Sequence, residues 1–267
     1  MDRFDKAGET FARLCRIMAR LRAPGGCPWD REQTPQSLKP YLIEEAYETV
    51  DAIDAGDPES LREELGDVLL QVVFHAEIGQ ETGAFDAAAV ATGVADKLVR
   101  RHPHVFGDES AKGADGALRN WEAVKAKERP PGKGTLASIP RGLPALLRAM
   151  RSGEKAGAVG FDWSKPEDVA AKVEEEWREL RQAMSHEAPE AVTEELGDLL
   201  FAIVNLSRRL SIDAESALQL ATDKFQRRFA FIERALAQEG RSPKDASMDE
   251  LDRLWEQAKA EERHGAV

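Results

Sequence analysis

Phe11, Leu14, Met18 and Leu21 recur three and four residues apart and predict a first amphipathic helix, which Pro24-Gly25-Gly26 ends. A second helix is expected over about residues 37–54. Asp57 followed by Pro58 has the form of an N-cap and first helical residue opening a third. That helix runs through Glu64 and Asp67 into the apolar stretch from Val68 to Phe74. A fourth starts near Asp86 and stops by His102-Pro103, because proline disfavours helix at the residue before it. A short fifth carries Trp121 and Lys125, after a glycine-bearing loop (Gly107, Gly113, Gly116). Helical periodicity resumes beyond residue 144, with capping-box patterns at Ser164-Lys165-Pro166-Glu167 and Ser247-Met248-Asp249-Glu250. One of these later helices holds Lys224 and Arg228 and continues to about Gln238. No alternating pattern with hairpin turns occurs, so the fold is expected to be all-α.

The pattern is duplicated. Glu44-Glu45-Ala46-Tyr47-Glu48 recurs as Glu175-Glu176-Trp177-Arg178-Glu179, and Glu63-Glu64-Leu65-Gly66-Asp67 as Glu194-Glu195-Leu196-Gly197-Asp198, both at an offset of 131. Asp96-Lys97 with Arg101 returns as Asp223-Lys224 with Arg228 at an offset of 127, and Trp121 with Lys125 as Trp255 with Lys259 at 134. Offsets that drift by a few residues fit duplication with changes in loop length. The expectation is two tandem copies of one helical bundle: residues 1–129, a Pro/Gly-rich linker at 130–144 that includes Pro130-Pro131-Gly132-Lys133-Gly134, and residues 145–267.

Composition narrows the classes. A chain of 267 residues with 42% hydrophobic and 32% charged residues suits soluble helical domains with cores of their own. The net charge of −12 argues against binding to a nucleic-acid polymer. The longest apolar run, Leu199 to Val204, is too short to span a membrane, and the first residues carry no secretory pattern. Cys15 and Cys27 lack metal-ligand spacing and read as reduced thiols, so the expected location is the cytoplasm.

Residues three or four apart share one face of a helix. Glu45 with Glu48, Glu64 with Asp67, Glu176 with Glu179 and Glu195 with Asp198 therefore project in pairs, and two adjacent helices can converge four carboxylates. Such a group repels itself unless a cation sits within it, and all-oxygen ligands suit a hard ion such as Mg²⁺ or Mn²⁺. A single Glu-rich helix ordinarily just displays a solvated face. Here each cluster borders an apolar run and holds a mid-helix glycine, Gly66 or Gly197, which costs about 1 kcal/mol relative to alanine. The glycines point to close approach of another backbone or a ligand, or to plain helix packing. Lys224 with Arg228, and Trp255 with Lys259, lie four apart on two further helices; such cations suit a metal-bound polyphosphate, and the indole either stacks on a base or fills a core. Paired E-x-x-H motifs of a di-iron bundle are missing: the one E-x-x-H runs from Glu261 to His264, and His75 reads as a satisfied core histidine.

These residues resemble the MazG nucleoside triphosphate pyrophosphohydrolases of the all-α NTP pyrophosphatase superfamily, over almost the whole chain. The most specific part is Gly26-Cys27-Pro28-Trp29-Asp30, Gln33-Thr34, Ser37-Leu38 and Pro40-Tyr41 leading into Glu44-Glu45-x-x-Glu48. Val159-Gly160-Phe161-Asp162-Trp163 and Asn120-Trp121-Glu122 also look like the family, whereas Pro35 stands where the family commonly has histidine. The resemblance implies Mg²⁺-dependent hydrolysis of nucleoside triphosphates to monophosphate and pyrophosphate, with broad base specificity. It implies metal ligands Glu176, Glu179, Glu195 and Asp198, first-half counterparts Glu45, Glu48, Glu64 and Asp67, and nucleotide contacts from Lys224, Arg228, Trp255 and Lys259. It also implies a homodimer with the second half as the working one; the alternative is that the two halves pair inside one chain as a pseudo-dimeric monomer. Two rival classes are a helical interaction module without turnover and a carboxylate-bridged redox enzyme that copurifies with iron.

Overall fold

The computed structural model describes residues 2–128, 134–186 and 188–265, which fall into two compact units, Met1–Glu128 and Arg129–Val267. All regular structure among the described residues is helical. The first unit comprises α1 (Arg3–Arg22), α2 (Pro28–Glu32), α3 (Lys39–Ala55), α4 (Pro58–Glu81), α5 (Ala87–Arg101), α6 (Pro103–Phe106) and α7 (Gly113–Lys127). The second comprises α8 (Ala145–Gly157), α9 (Pro166–His186), α10 (Pro189–Arg209), α11 (Ala214–Gln238) and α12 (Met248–Gly265), with 3₁₀ turns at Thr135–Ser138 and Pro243–Asp245.

Local chemistry sets the helix ends. Asp57 caps α4, accepting from the Glu59 amide at 3.0 Å and the Ser60 hydroxyl at 2.8 Å, while Pro58 takes the first helical position. Gly56, at φ +66°, supplies the left-handed residue that closes α3. Only Gly56 and Asp57 join α3 to α4, which makes the pair an antiparallel hairpin. Asp213 caps α11 through the Ser216 amide at 2.8 Å, and α11 then runs unbroken to Gln238 as its pattern predicts.

In each unit one long hairpin is the scaffold and other helices cover one side of it. Helices α3 and α4 pack together, α1 lies on α4, and Met18, Leu38, Val73, Phe74 and Ile78 form the core between them. In the second unit α9 packs on α10 and α8 covers α10, with Met150, Val204 and Ala214 buried. The hairpins keep apolar residues exposed on another side: Leu65, Leu69 and Val72 on α4, and Leu196, Leu200, Phe201 and Ile203 on α10.

Helix α5 starts after Asp86 and ends at Arg101, as the His102-Pro103 pair predicts, and Pro103 then opens the single turn α6, as Pro28 opens α2, since proline suits the first helical position. Three sequence expectations need correction. Gly113 and Gly116 belong to helix α7, so the loop before Trp121 is shorter than their presence suggested. His75 is not a satisfied histidine: its Nε2 is buried without a hydrogen-bond partner among the described residues. Gly66 and Gly197 meet nothing within 4 Å of an added Cβ, so no backbone of their own unit approaches them. Within the expected linker, residues 130–133 lie outside the described residues, as does the side chain of His264. The stretch from 134 to 144 belongs to the second unit, where Lys155 Nζ donates to Ser138 Oγ at 2.9 Å.

Candidate metal and nucleotide site

Each hairpin gathers acids across its two helices. Glu45 and Glu48 of α3 and Glu64 of α4 place ligand oxygens within 4.8 Å of one another, and Glu176 and Glu179 of α9 do the same with Glu195 of α10. The spacing of three residues puts the first two on one helical face, and antiparallel packing brings the third against them. Asp67 and Asp198, one turn further on, stand outside these tight sets. Both groups contain only glutamate, with no histidine among the described residues that could serve an iron centre.

The acids strain against one another. Desolvation pushes the Glu195 carboxyl above the usual range, and the charges of Glu179, Glu176 and Asp198 add to the shift. Glu45 and Glu64 are raised for the same reasons, desolvation first and neighbouring carboxylates after it. A divalent cation relieves both causes, and clustered carboxylate oxygens are the donor set that Mg²⁺ and Mn²⁺ prefer. The donor chemistry therefore fits such an ion.

The two clusters differ in one respect that the repeat pattern did not reveal. Lys172, on α9, reaches Glu175 Oε1 at 2.8 Å and Glu176 Oε1 at 2.7 Å, and Glu176 is only 6% exposed. The carboxylates in turn hold the ammonium well above its ordinary pKa. The equivalent position in the first repeat is Tyr41, which carries no charge.

The predicted cations lie on α11 and α12, and among the described residues no ion pair joins them to the acids of α9 and α10. Arg228 Nε and Nη2 both donate to Glu262 Oε2 at 2.8 Å, and its guanidinium carbon sits 5.4 Å from the centre of the Trp255 ring. Lys259 pairs with Glu256 at 2.7 Å, and Lys224 is exposed. Trp255 is half-buried; it packs at 5.3 Å against Phe225 and borders a cavity of about 290 Å³ lined also by Phe229, Ile232 and Asp252. The indole thus has both a core contact and an open side.

The first unit repeats this arrangement. Arg101 Nε donates to Glu128 Oε2 at 2.9 Å, Arg100 Nε reaches Glu128 Oε1 at 2.6 Å, and Arg101 lies 5.2 Å from the centre of the Trp121 ring. His102 packs against the same indole at 4.9 Å. Arg101 is held as closely as Arg228. Glu128 and Glu262 escaped the sequence reading, although the shared spacing of seven residues from Trp121 and from Trp255 was a usable signal.

Two of the signature motifs are tied down by arginine braces. Arg22 forms a double ion pair with Glu81 at 2.7 Å, donates to the Gln33 carbonyl at 3.2 Å and also to the Asp30 carbonyl, which ties Trp29-Asp30 to α1 and α4. Asp162 binds Arg208 at 2.6 and 3.0 Å, and Gly157 leaves room for that carboxylate. Both braces fix the loop that leads into an acid-bearing hairpin.

Comparison with known proteins follows the same lines. The sequence model of the MazG nucleotide pyrophosphohydrolase domain matches residues 33–106 and 164–230, once in each unit. A nucleoside triphosphate pyrophosphohydrolase/pyrophosphatase MazG of Thermotoga maritima is 49% identical over 255 residues, covering 95% of this chain and 97% of the relative. A nucleoside triphosphate pyrophosphohydrolase of Escherichia coli K12 is 46% identical over 94% of this chain and 97% of its own length. One from Mycobacterium tuberculosis is 34% identical over 86% of this chain and 60% of its own length.

Proposed function

The chain belongs to the MazG nucleotide pyrophosphohydrolase family, and from that premise we propose that it hydrolyses nucleoside triphosphates to nucleoside monophosphate and pyrophosphate in its second unit. The observation that carries this reading is the convergence of Glu176, Glu179 and Glu195 within 4.8 Å, with Asp198 one turn away. These acids would hold Mg²⁺, with Mn²⁺ as a substitute. The ion supplies positive charge against the triphosphate and makes a nearby water more acidic.

The chain's own residues do the rest. A carboxylate oxygen of the cluster not engaged by metal orients the attacking water and accepts its proton. Lys224, Arg228 and Lys259 take phosphate oxygens and offset charge that develops as the bond between the α and β phosphates breaks. Trp255 stacks on the base from its open side. A ring face accepts every base, so specificity across bases is broad, which suits control or cleansing of a nucleotide pool.

The acids sit on α9–α10 and the cations on α11–α12, and a second copy of the chain brings the two together. The exposed Leu196, Leu200, Phe201 and Ile203 of α10 and Phe225 and Phe229 of α11 are apolar surface such pairing would bury. A two-fold homodimer is the simplest assembly that does so. A cytoplasmic location accords with the free thiols of Cys15 and Cys27, and no helix of the described residues is long and apolar enough to cross a membrane.

The test is incubation with a panel of NTPs and dNTPs, with and without Mg²⁺. Monophosphate and pyrophosphate should appear only with the ion. Diphosphate and orthophosphate as first products would overturn the reading.

A further inference from the structure

The duplicated Arg–Trp–Glu arrangement carries an inference of its own. In both units an arginine, Arg101 at the end of α5 and Arg228 in the middle of α11, is clamped by a glutamate seven residues beyond a tryptophan, Glu262 two turns along α12 and Glu128 just past the end of α7. The guanidinium lies against the indole at 5.2 Å in one case and 5.4 Å in the other.

Clamping does not spend the arginine. Glu262 occupies the Nε/Nη2 edge through a single oxygen, Oε2. A guanidinium has five N–H donors, and among the described residues nothing takes up the Nη1 side, whose N–H groups with those of Nη2 match a phosphate. Unclamped, an arginine side chain samples many rotamers, and ordering it would weaken ligand binding. Clamped, it presents one edge in one direction beside one ring. The carboxylate also offsets part of the cost of keeping the Arg228 side chain only 18% exposed.

We propose that Glu262 is a positioning residue for nucleotide binding: it holds Arg228 against the Trp255 ring so that the free guanidinium edge meets the triphosphate while the indole meets the base. The proposal rests on the function argued above, since it assigns Arg228 and Trp255 to the substrate. Glu262 touches neither substrate nor metal; it acts through Arg228. Its second oxygen, Oε1, is buried without a hydrogen-bond partner among the described residues and makes only a long ion pair with Arg227 Nε at 3.9 Å. The short bonds of the carboxylate thus go to Arg228, and its contact with Arg227 is the longer one.

The experiment compares Glu262→Ala, Glu262→Gln and the unaltered chain in three measurements: pyrophosphate release against NTP concentration, affinity for an α,β-methylene NTP, and thermal melting. Positioning predicts that Glu262→Ala raises KM and weakens analogue binding roughly tenfold, the scale of one lost charge-assisted hydrogen bond, with kcat changed less. Glu262→Gln, whose amide oxygen still accepts from Arg228, should recover most of that loss. A purely structural role would lower melting temperature and active fraction together and leave KM unchanged. An inhibitory role would lower KM in Glu262→Ala. Either result overturns the proposal, as does an unchanged KM with unchanged melting. If the unaltered chain releases no pyrophosphate, the assigned activity fails, and analogue affinity alone then decides for or against Glu262. Should Glu262→Ala not fold, Glu262→Gln against Glu262→Asp gives the same comparison, with the shortened carboxylate expected to bind worse than the amide.

Discussion

Lys172 Nζ lies 2.7 Å from Glu176 Oε1, one helical turn away on α9, and so places an internal cation on the most buried acid of the second cluster. Among the described residues no cation pairs with the first cluster in this way, and Tyr41 occupies the matching position. The lysine is a built-in counter-ion for a group of carboxylates that otherwise repel.

Replacing Lys172 by Met should therefore destabilise the metal-free protein by roughly 1–3 kcal/mol, the cost of leaving a buried carboxylate without its partner. Melting in EDTA and again in excess Mg²⁺ checks this. The deficit should be large in EDTA and shrink with the ion, which replaces the lost charge. An equal deficit in both conditions would show that Lys172 acts by packing alone.

The acid cluster also sets a pH dependence. Glu195 titrates above its ordinary range in the folded chain, so its charge penalises the metal-free fold fully above the folded pKa and not at all below the unfolded one. Mg²⁺ binds the charged form and removes that penalty. The rise in melting temperature on adding Mg²⁺ should be largest near neutral pH and fade as pH falls through the raised Glu195 pKa. Glu195→Gln should blunt the rise throughout. A rise that grows on acidification contradicts the assignment.

Asp162 behaves in the opposite sense. Its hydrogen bonds with Arg208 hold the carboxyl below the usual range, so its stabilisation is present above the unfolded carboxyl pKa and is lost as pH falls through the lowered folded value. Asp162→Asn should cost about 1–3 kcal/mol at neutral pH, the scale for a charged hydrogen bond in a partly buried setting. Thermal melts at pH 7 and at pH 3 should show the difference narrowing in acid. Equal losses at both would mean that shape, not charge, is what Asp162 contributes.

Much of this was legible in the sequence because the determinants are local. Helix α4 follows from Asp57-Pro58, and the shared face of Glu176 and Glu179 from a spacing of three. The short helices α2 and α6 were not, since five and four residues carry too little periodicity to read. The Glu128 and Glu262 clamps also escaped, because they pair across helices 27 and 34 residues away in sequence, beyond any local pattern. The role of Trp29-Asp30 and Asp162 as braces was hidden for the same reason: Arg22 and Arg208 are supplied by other helices.

The mid-helix glycines give a test of the homodimer. Inside its own unit Gly197 faces open space, so alanine there should stabilise an isolated chain by about 1 kcal/mol through helix propensity. If a second copy packs its backbone on that face, the added methyl should instead weaken association. Light scattering and melting of Gly197→Ala at several protein concentrations separate the two. The dimer predicts a lower melting temperature at low concentration and a larger monomer fraction. A uniform gain in stability, with a mass near 29.5 kDa in the parent chain, would contradict it.

The central claim is that turnover resides in the second acid cluster. Its most direct test is steady-state pyrophosphate release, with Mg²⁺, by two double variants whose helicity matches the parent by circular dichroism. Glu195→Gln with Asp198→Asn should abolish nearly all release, whereas Glu64→Gln with Asp67→Asn should leave most of it. Equal losses in the two, or greater loss from the first-unit pair, would contradict the account.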